Sequence, residues 1–386
     1  MGTLPNNAAP VAPLVHGGYA ATDLTTFLTA LTTMAGSPLR VRPVATIAGE
    51  VAAAGVRNGM AHWLAGSARA FSAVELLSRT ANGIATTVTP VPALLHALKG
   101  EPELRATIDA ALHRLTEPRP KWAGFTLDRP LIMGILNVTP DSFSDGGRFA
   151  DPARAIAHGR ALVAAGADIV DIGGESTRPG AAPVTPDDEF ARIGPVIQAL
   201  AAAGTVISVD TRHASVMMRA LEAGGRIIND ITALSQPGAI EVAAKTRAPV
   251  VLMHMQGDPS TMQRAPRYDL ASLDIVEFLE ARIAACVNAG IAHDAIVVDP
   301  GIGFGKTRAH NLEILARIGL LHDLGAGILV GASRKSFLGG AVDARLAASL
   351  AVAIHAVEQG VQILRVHDVA ETRAAIAATE ALATAP

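Results

Sequence analysis

From residue 131 onward the chain repeats one pattern. Short, nearly unbroken apolar runs alternate with Ala-rich stretches whose apolar residues recur at helical spacing. The runs are LIMGILNV (131–138), DIVDIGG (168–174), VISVDT (206–211), RIINDI (226–231), PVVLMHM (249–255), AIVVDPG (295–301), GILVGAS (327–333) and QILRVHD (362–368). Apolar runs without polar alternation, separated by helices, predict parallel strands buried on both faces. Eight strand–helix units within about 255 residues predict a (β/α)₈ TIM barrel. An open doubly wound sheet fits less well, because neither a Gly-rich dinucleotide turn nor a P-loop follows the first run.

Residues 1–120 read differently, and we separate them from a barrel domain over 121–386. The segment VPALLHALKGEPELRATIDAALHRL (91–115) has helical spacing and stops before EPRP. VAAAGVRNGMAHWLAG is Ala-rich, and LRVRPVATIAGE has room for a short strand. The expectation is an α-rich accessory extension. It holds no titratable cluster, which favours a structural or assembly role over a second activity.

Composition narrows the partners. Half of the 386 residues are hydrophobic and 17% are charged, enough for a large core. A formal net charge of −3 argues against a nucleic-acid surface. Cys286 is the sole cysteine, which excludes an internal disulfide and a zinc cluster. No apolar stretch reaches the ~18 residues of a membrane span. MGTLPNNAAPVAP lacks the basic start and apolar core of a signal peptide, so a cytoplasmic protein is expected.

Each apolar run ends in polar residues. In order these are Asn137; Glu175, Thr177 and Arg178; Asp210; Asn229 and Asp230; His254; Asp299; Ser333, Arg334 and Lys335; and Arg365, His367 and Asp368. In a parallel barrel all eight ends open on one face, where barrel enzymes build their sites. Any one of these residues alone is more often a helix cap or a loop residue. The set carries the argument. Asp210, Asn229 and Asp299 offer acceptors and an amide, which suit a flat heterocycle with an amine beside a ring N–H. Lys335, Arg365, His367 and Arg178 supply positive charge for a phosphate or diphosphate. The Gly-rich turns SDGG, GGESTRPG and DPGIGFGK permit close backbone approach and loop closure over a ligand. His254 reads best as a satisfied buried histidine, Asp171 and Glu175 as organisers of the mouth, and Asp141 as a turn cap.

Two segments go further. NVTPDSFSDGG (137–147) and GADIVDIGGESTRPGA (166–181) are followed in order by SVDT, IIND, VLMHMQGDPSTMQ, VDPGIGFGK, VGASRKSFLG and RVHDVAETR. Together they resemble the dihydropteroate synthase family over residues 125–378. The resemblance implies the condensation of 6-hydroxymethyl-7,8-dihydropterin diphosphate with 4-aminobenzoate, giving 7,8-dihydropteroate and diphosphate in folate biosynthesis. It also implies Mg²⁺, diphosphate departure before amine attack, inhibition by sulfonamides, and a homodimer formed through late helices (347–358 and 370–384).

Site roles follow from the same resemblance. Asp299, Asn229 and Asp210, with Thr177, take the pterin edge, and Met253 and Ile231 are its apolar walls. Lys335 reaches the pterin carbonyl side, while Arg365 lies over the ring and touches diphosphate. His367 and Asn137 bind diphosphate, with Asn137 reaching the Mg²⁺. Asp145 joins the metal or the cation, and is grouped with Lys335 and Arg365 as catalytic. Phe143, Arg178, Pro179, Phe304 and Ser336 form the aminobenzoate pocket, with Ser336 at a helix start.

Three rival readings are weaker. A methyltetrahydrofolate–corrinoid methyltransferase would share the Asp/Asn pocket without needing NVTPDSFSDGG, SRKS or RVHD. A non-catalytic pterin-binding paralogue would have lost Arg178 or Lys335. A phosphate-binding barrel isomerase would want a Glu or His base and a late Gly pair.

Overall fold

A computed structural model describes residues 19–33, 38–81, 83–139, 151–176 and 183–384. The sequence-expected residues Asp141, Phe143, Asp145, Thr177, Arg178 and Pro179 lie outside the described residues.

The extension has the expected helices and, beside them, a sheet that the sequence reading did not foresee. Its strands β1 (Tyr19–Ala21), β2 (Leu39–Ala48), β3 (His62–Trp63), β4 (Arg69–Thr80) and β5 (Gly83–Pro90) form one sheet. The order is β1-β5-β4-β2, with β3 also paired to β4. Only the β1–β5 pair is parallel. Helices α1 (Leu24–Thr33), α2 (Gly49–Arg57), α3 (Val91–Ala97) and α4 (Pro102–Thr116) accompany it. The helical reading of 91–115 survives as α3 and α4, broken where Gly100 takes φ +98° ahead of Pro102. The longer missed strands are AFSAVELLSRT and GIATTVTP, of which the second is rich in the β-branched residues that fit a pleated surface.

The second unit is a closed barrel of eight parallel strands. They are β6 (Leu131–Asn137), β7 (Ile169–Gly173), β8 (Ile207–Asp210), β9 (Ile227–Asp230), β10 (Val250–Met253), β11 (Ile296–Asp299), β12 (Gly327–Val330) and β13 (Ile363–Val366). A helix follows each in turn: α5 (Pro152–Ala164), α6 (Pro186–Ala202), α7 (Ala214–Glu222), α8 (Ala239–Thr246), α9 (Ala271–Asn288), α10 (Arg308–Ala316), α11 (Leu346–Glu358) and α12 (Val369–Thr384). Local chemistry starts several of them. The Asp151 side chain caps α5 ahead of Pro152, and Thr185 caps α6 ahead of Pro186 and three acidic residues. Thr307 and His310 close a capping box on α10. Among the described residues, no helix is long and apolar enough to cross a membrane.

The two-residue period of a strand decides what fills the barrel. Ile132, Val170, Ile228, Val298 and Leu364 point outward into the helix layer. Met133, Ile169, Ile227, Val251, Val297, Leu329 and Ile363 point inward and cluster with Trp122 and Leu127. Trp122 bridges to Phe125 and donates from Nε1 to the Ala295 carbonyl at 3.0 Å. This segment therefore closes the floor of the barrel. Two residues farther along the strands the inward positions become polar: Asp171 after Ile169, Asn229 after Ile227, Asp299 after Val297, Arg365 after Ile363.

The extension has its own core around Phe27, Val74, Leu76, Leu94 and Ile108. On the other face of its sheet, Leu77 joins the barrel core. Arginines do the rest of the docking. Arg79 pairs with Glu277 at 2.9 Å and with Asp274 on α9. Arg40 pairs with Glu280, and Arg69 with Glu380 on α12. Asp323, fully buried in the 3₁₀ segment Ile318–Leu324, receives Arg114 at 2.8 Å and Arg40 at 3.4 Å. Removing one partner of a buried ion pair leaves uncompensated charge. Asp323→Ala is therefore expected to lose roughly 3 kcal/mol of unfolding free energy, measured by urea titration. A loss no larger than that of an exposed pair, such as Arg105–Asp109, would show that the network does not hold the two units together.

Candidate active site

The strand ends opposite the Trp122 floor surround a cavity of about 880 Å³. Eleven of the sequence-expected residues line it. Asp210, Asn229, Ile231, Met253, Asp299 and Arg365 come from the strands or the positions just after them. Asn137, Phe304, Lys335, Ser336 and His367 form the upper wall.

At its base, Arg365 is held from two sides. Its Nε donates to Asp171 Oδ2 at 2.6 Å, and an Nη donates to Asp210 Oδ2 at 2.6 Å. The same Asp171 oxygen accepts the Asn229 amide at 3.1 Å. Asp171 has no solvent exposure, and its Oδ1 has no partner. Burial disfavours the charged guanidinium, but the two carboxylates outweigh it and raise the Arg365 pKa. Burial likewise pushes Asp210 up to about 7, against the pull of Arg365 and with the help of Asp171 and Asp230. The organiser reading of Asp171 thus acquires a geometry, while the clamp on Arg365 was absent from the sequence reading.

Asp299 sits at the end of β11, with Oδ1 accepting the Gly301 N–H at 2.7 Å. Gly301 has φ +66°, and a Cβ there would lie 1.9 Å from the His254 carbonyl oxygen, so the turn requires glycine. Burial raises the Asp299 pKa. Lys335 points inward from the β12 side, donating to the Ile302 carbonyl and lying 4.3 Å above the Phe304 ring. Burial lowers its pKa to about 8, with Asp299 opposing and Arg365 reinforcing the drop. His254 is buried at 2.9 Å from Lys306 Nζ, which also donates to the Phe304 carbonyl at 2.9 Å. It does not line the cavity. Glu175 accepts from Nε and Nη2 of Arg212, each at 2.9 Å, and stands at the rim.

Two expectations need correction. His367 was counted among the cations, yet burial and the nearby Arg365 and Arg334 lower its pKa to about 4. Without a bound anion it is neutral at pH 7, with Nδ1 3.1 Å from Ser333 Oγ. Ser336 opens only the single 3₁₀ turn Ser336–Leu338, and α11 starts at Leu346. The helix-start argument for Ser336 is lost, because so short a turn has no helix dipole to offer.

Sequence reasoning missed other lining residues. Ile135 and Met262 add apolar wall, and Arg345 adds a cation at the rim. Met262 lay within a quoted motif but reads as core. Arg345 reaches the rim by bonding the Arg334 carbonyl at 2.9 Å, for which the sequence has no local signal. Among the described residues, no group of three His, Cys, Asp or Glu is placed to hold a metal. Asn137, whose side chain carries one amide oxygen, lines the wall. That donor set suits Mg²⁺ only in its usual mode, with few protein ligands and the remainder from phosphate and water.

Comparison with known proteins bears on this arrangement. The family model described as "Pterin binding enzyme" matches residues 133–367. Dihydropteroate synthase of Escherichia coli (strain K12) is 49% identical over 260 residues, covering 66% of this chain and 92% of the relative. The chain belongs to the dihydropteroate synthase family. Two solved structures agree. Xanthomonas albilineans dihydropteroate synthase with 4-aminobenzoic acid is 46% identical, with a TM-score of 0.65 over 68% of this chain and 97% of that one. The same organism's enzyme in complex with 7,8-dihydropteroate is 43% identical, with a TM-score of 0.62 over the same shares. The family match begins in β6 and ends just past β13, so it spans the barrel and leaves out the extension.

For a dihydropteroate synthase, the Lys335 environment has a kinetic consequence. With a pKa of about 8, the free enzyme loses the ammonium above that pH, so kcat/KM should fall on the alkaline side. An anionic substrate favours the ammonium, so the limb in kcat should lie higher. Lys335→Arg should abolish the limb. A pH–rate profile of that variant that still falls above pH about 8 would assign the limb to another group.

Proposed function

We propose that this dihydropteroate synthase divides its cavity into three parts. The pterin lies at the base, the diphosphate along one wall, and 4-aminobenzoate at the rim. The observation that carries this is the base itself: carboxylates and an amide around a doubly clamped guanidinium, with a half-buried lysine above. Asp299 and Asn229, with Asp210, match the amine and ring N–H edge of a pterin. Met253 and Ile231 bound its faces. Lys335 meets the carbonyl side. Arg365 covers the ring and extends to the diphosphate, where His367 adds a hydrogen bond. Asn137 would hold Mg²⁺ through its amide oxygen. When bound, the ion supplies charge neutralisation on the diphosphate.

The chemistry is a substitution at the exocyclic methylene. The C–O bond breaks with its electron pair going to diphosphate. The resulting cation is delocalised into the pterin. The amine of 4-aminobenzoate forms the new C–N bond, and its proton is released. Asp210 and Asp299 stabilise the developing positive charge from below, in a site where burial strengthens electrostatics. Phe304 and Ser336 face the aminobenzoate ring and carboxylate, alongside Phe143, Arg178 and Pro179. Thr177 belongs with the pterin contacts and Asp145 with the diphosphate end. The protein is taken to be cytoplasmic and homodimeric. The α12 end near Glu380 is already occupied by Arg69 of the extension, so the dimer contact falls elsewhere on the late helices.

A coupled assay of diphosphate release, with and without 4-aminobenzoate, tests the reading. Release over many turnovers should require the amine, and sulfonamides should compete with it. Release that ignores the amine counts against the proposal. Lys335→Ala and Arg365→Ala should each lower kcat/KM by on the order of 100-fold or more, with the barrel folded by circular dichroism. Near-normal rates remove that residue from the mechanism. Light scattering on the whole chain tests the dimer, and a monomer at micromolar concentration would rule it out.

A further inference from the structure

Phe304 reaches the mouth cavity from the glycine-rich turn between β11 and α10. Residues 301–306 of that turn are in neither strand nor helix, so their backbone groups must find partners elsewhere. Four successive carbonyls each accept from a side chain. Lys335 donates to Ile302, Gln263 Nε2 to Gly303 at 2.7 Å, Lys306 Nζ to Phe304 at 2.9 Å, and Tyr268 Oη to Gly305 at 2.7 Å. The Gly303 N–H in turn donates to Asn311 Oδ1 at 2.7 Å.

Two of these donors come from one neighbouring loop. Gln263 and Tyr268 both lie between β10 and α9, on the loop that also brings Met262 to the cavity. The two loops touch closely: a Cβ at Gly305 would stand 2.6 Å from the Gln256 carbonyl oxygen. Tyr268 is itself braced edge-on by the His310 ring, with centroids 4.9 Å apart. Neither Gln263 nor Tyr268 lines the cavity. Their bonds grip the peptides on either side of Phe304. Gly303 and Gly305 both have positive φ, and glycines so placed are free to take many other conformations.

We propose that Gln263 and Tyr268 are positioning residues for 4-aminobenzoate, acting through the backbone that carries Phe304. The inference rests on the assignment of Phe304 to the aminobenzoate rim. Fixing the carbonyls before and after Phe304 fixes the direction of its Cα–Cβ bond, so its ring is in place before the amine arrives. Asp299 is anchored separately, at the end of β11 and on the Gly301 N–H, so the pterin contacts do not depend on these two donors.

Steady-state kinetics on the full chain test this, with one substrate saturating while the other is varied. Wild type is compared with Gln263→Ala, Tyr268→Phe, Phe304→Ala and the double variant Gln263→Ala/Phe304→Ala. Gln263 is exposed and Tyr268→Phe removes only a hydroxyl, so both variants should fold. Each should raise KM for 4-aminobenzoate by about fivefold, as the loss of one hydrogen bond allows, and leave kcat and KM for the pterin diphosphate within about twofold. With Phe304 already removed, Gln263→Ala should add no more than about twofold. An unchanged KM for 4-aminobenzoate in both single variants overturns the proposal. So do equal rises in the two KM values, or a full effect of Gln263→Ala in the absence of the Phe304 ring. Phe304→Ala separates these failures from failure of the rim itself: a normal KM for 4-aminobenzoate in that variant removes the rim assignment, and the inference with it.

Discussion

The Oδ2 atom of Asp171 is shared by Arg365 and Asn229, and the catalytic cavity takes its shape from that sharing. A carboxylate with no exposure must be compensated inside the barrel. Arg365 does this, and Asp210 draws the other end of its guanidinium, so the plane of the cation is set by β7 and β8, two and three strands round the barrel from β13. The Asn229 amide is oriented by the same oxygen. A pterin pocket needs groups fixed before the ligand arrives, and here the fixing is done below the pocket, by a residue that does not line it.

What was readable in the sequence follows from where each strand is buried. The eight barrel strands stand out because both faces are covered, so they appear as unbroken apolar runs. Their polar ends stand out for the same reason, as Asp210 and Asp299 interrupt Val and Ile. The extension hid its strands. In β4, Val74 and Leu76 meet its own helices while Glu75, Leu77 and Arg79 meet the barrel, so a sheet covered on both sides by unlike surfaces shows no clean alternation. The clamp on Arg365 was hidden for another reason: it joins residues 194 positions apart. Residue type also misled. His367 looks cationic until its burial beside Arg365 is seen, and Met262 looks like core until the loop after β10 turns it toward the cavity.

The extension has a core of its own, yet it is fastened to the barrel mainly by arginines on carboxylates. Arg40, Arg69, Arg79 and Arg114 each reach across to Glu, Asp or both. Guanidinium forks suit such a junction because they bond a carboxylate from two directions and tolerate partial burial. None of these contacts involves a cavity-lining residue of the mouth. Among the described residues, these contacts bear on the barrel away from the mouth.

Among the described residues, the Trp122 floor leaves the mouth as the way into the barrel. With the floor closed by its ring, the two reactants and both products share that doorway. On the proposed layout the pterin would occupy the inner berth and 4-aminobenzoate the outer, so pterin diphosphate would enter first and the amine second, and the joined product would span both berths.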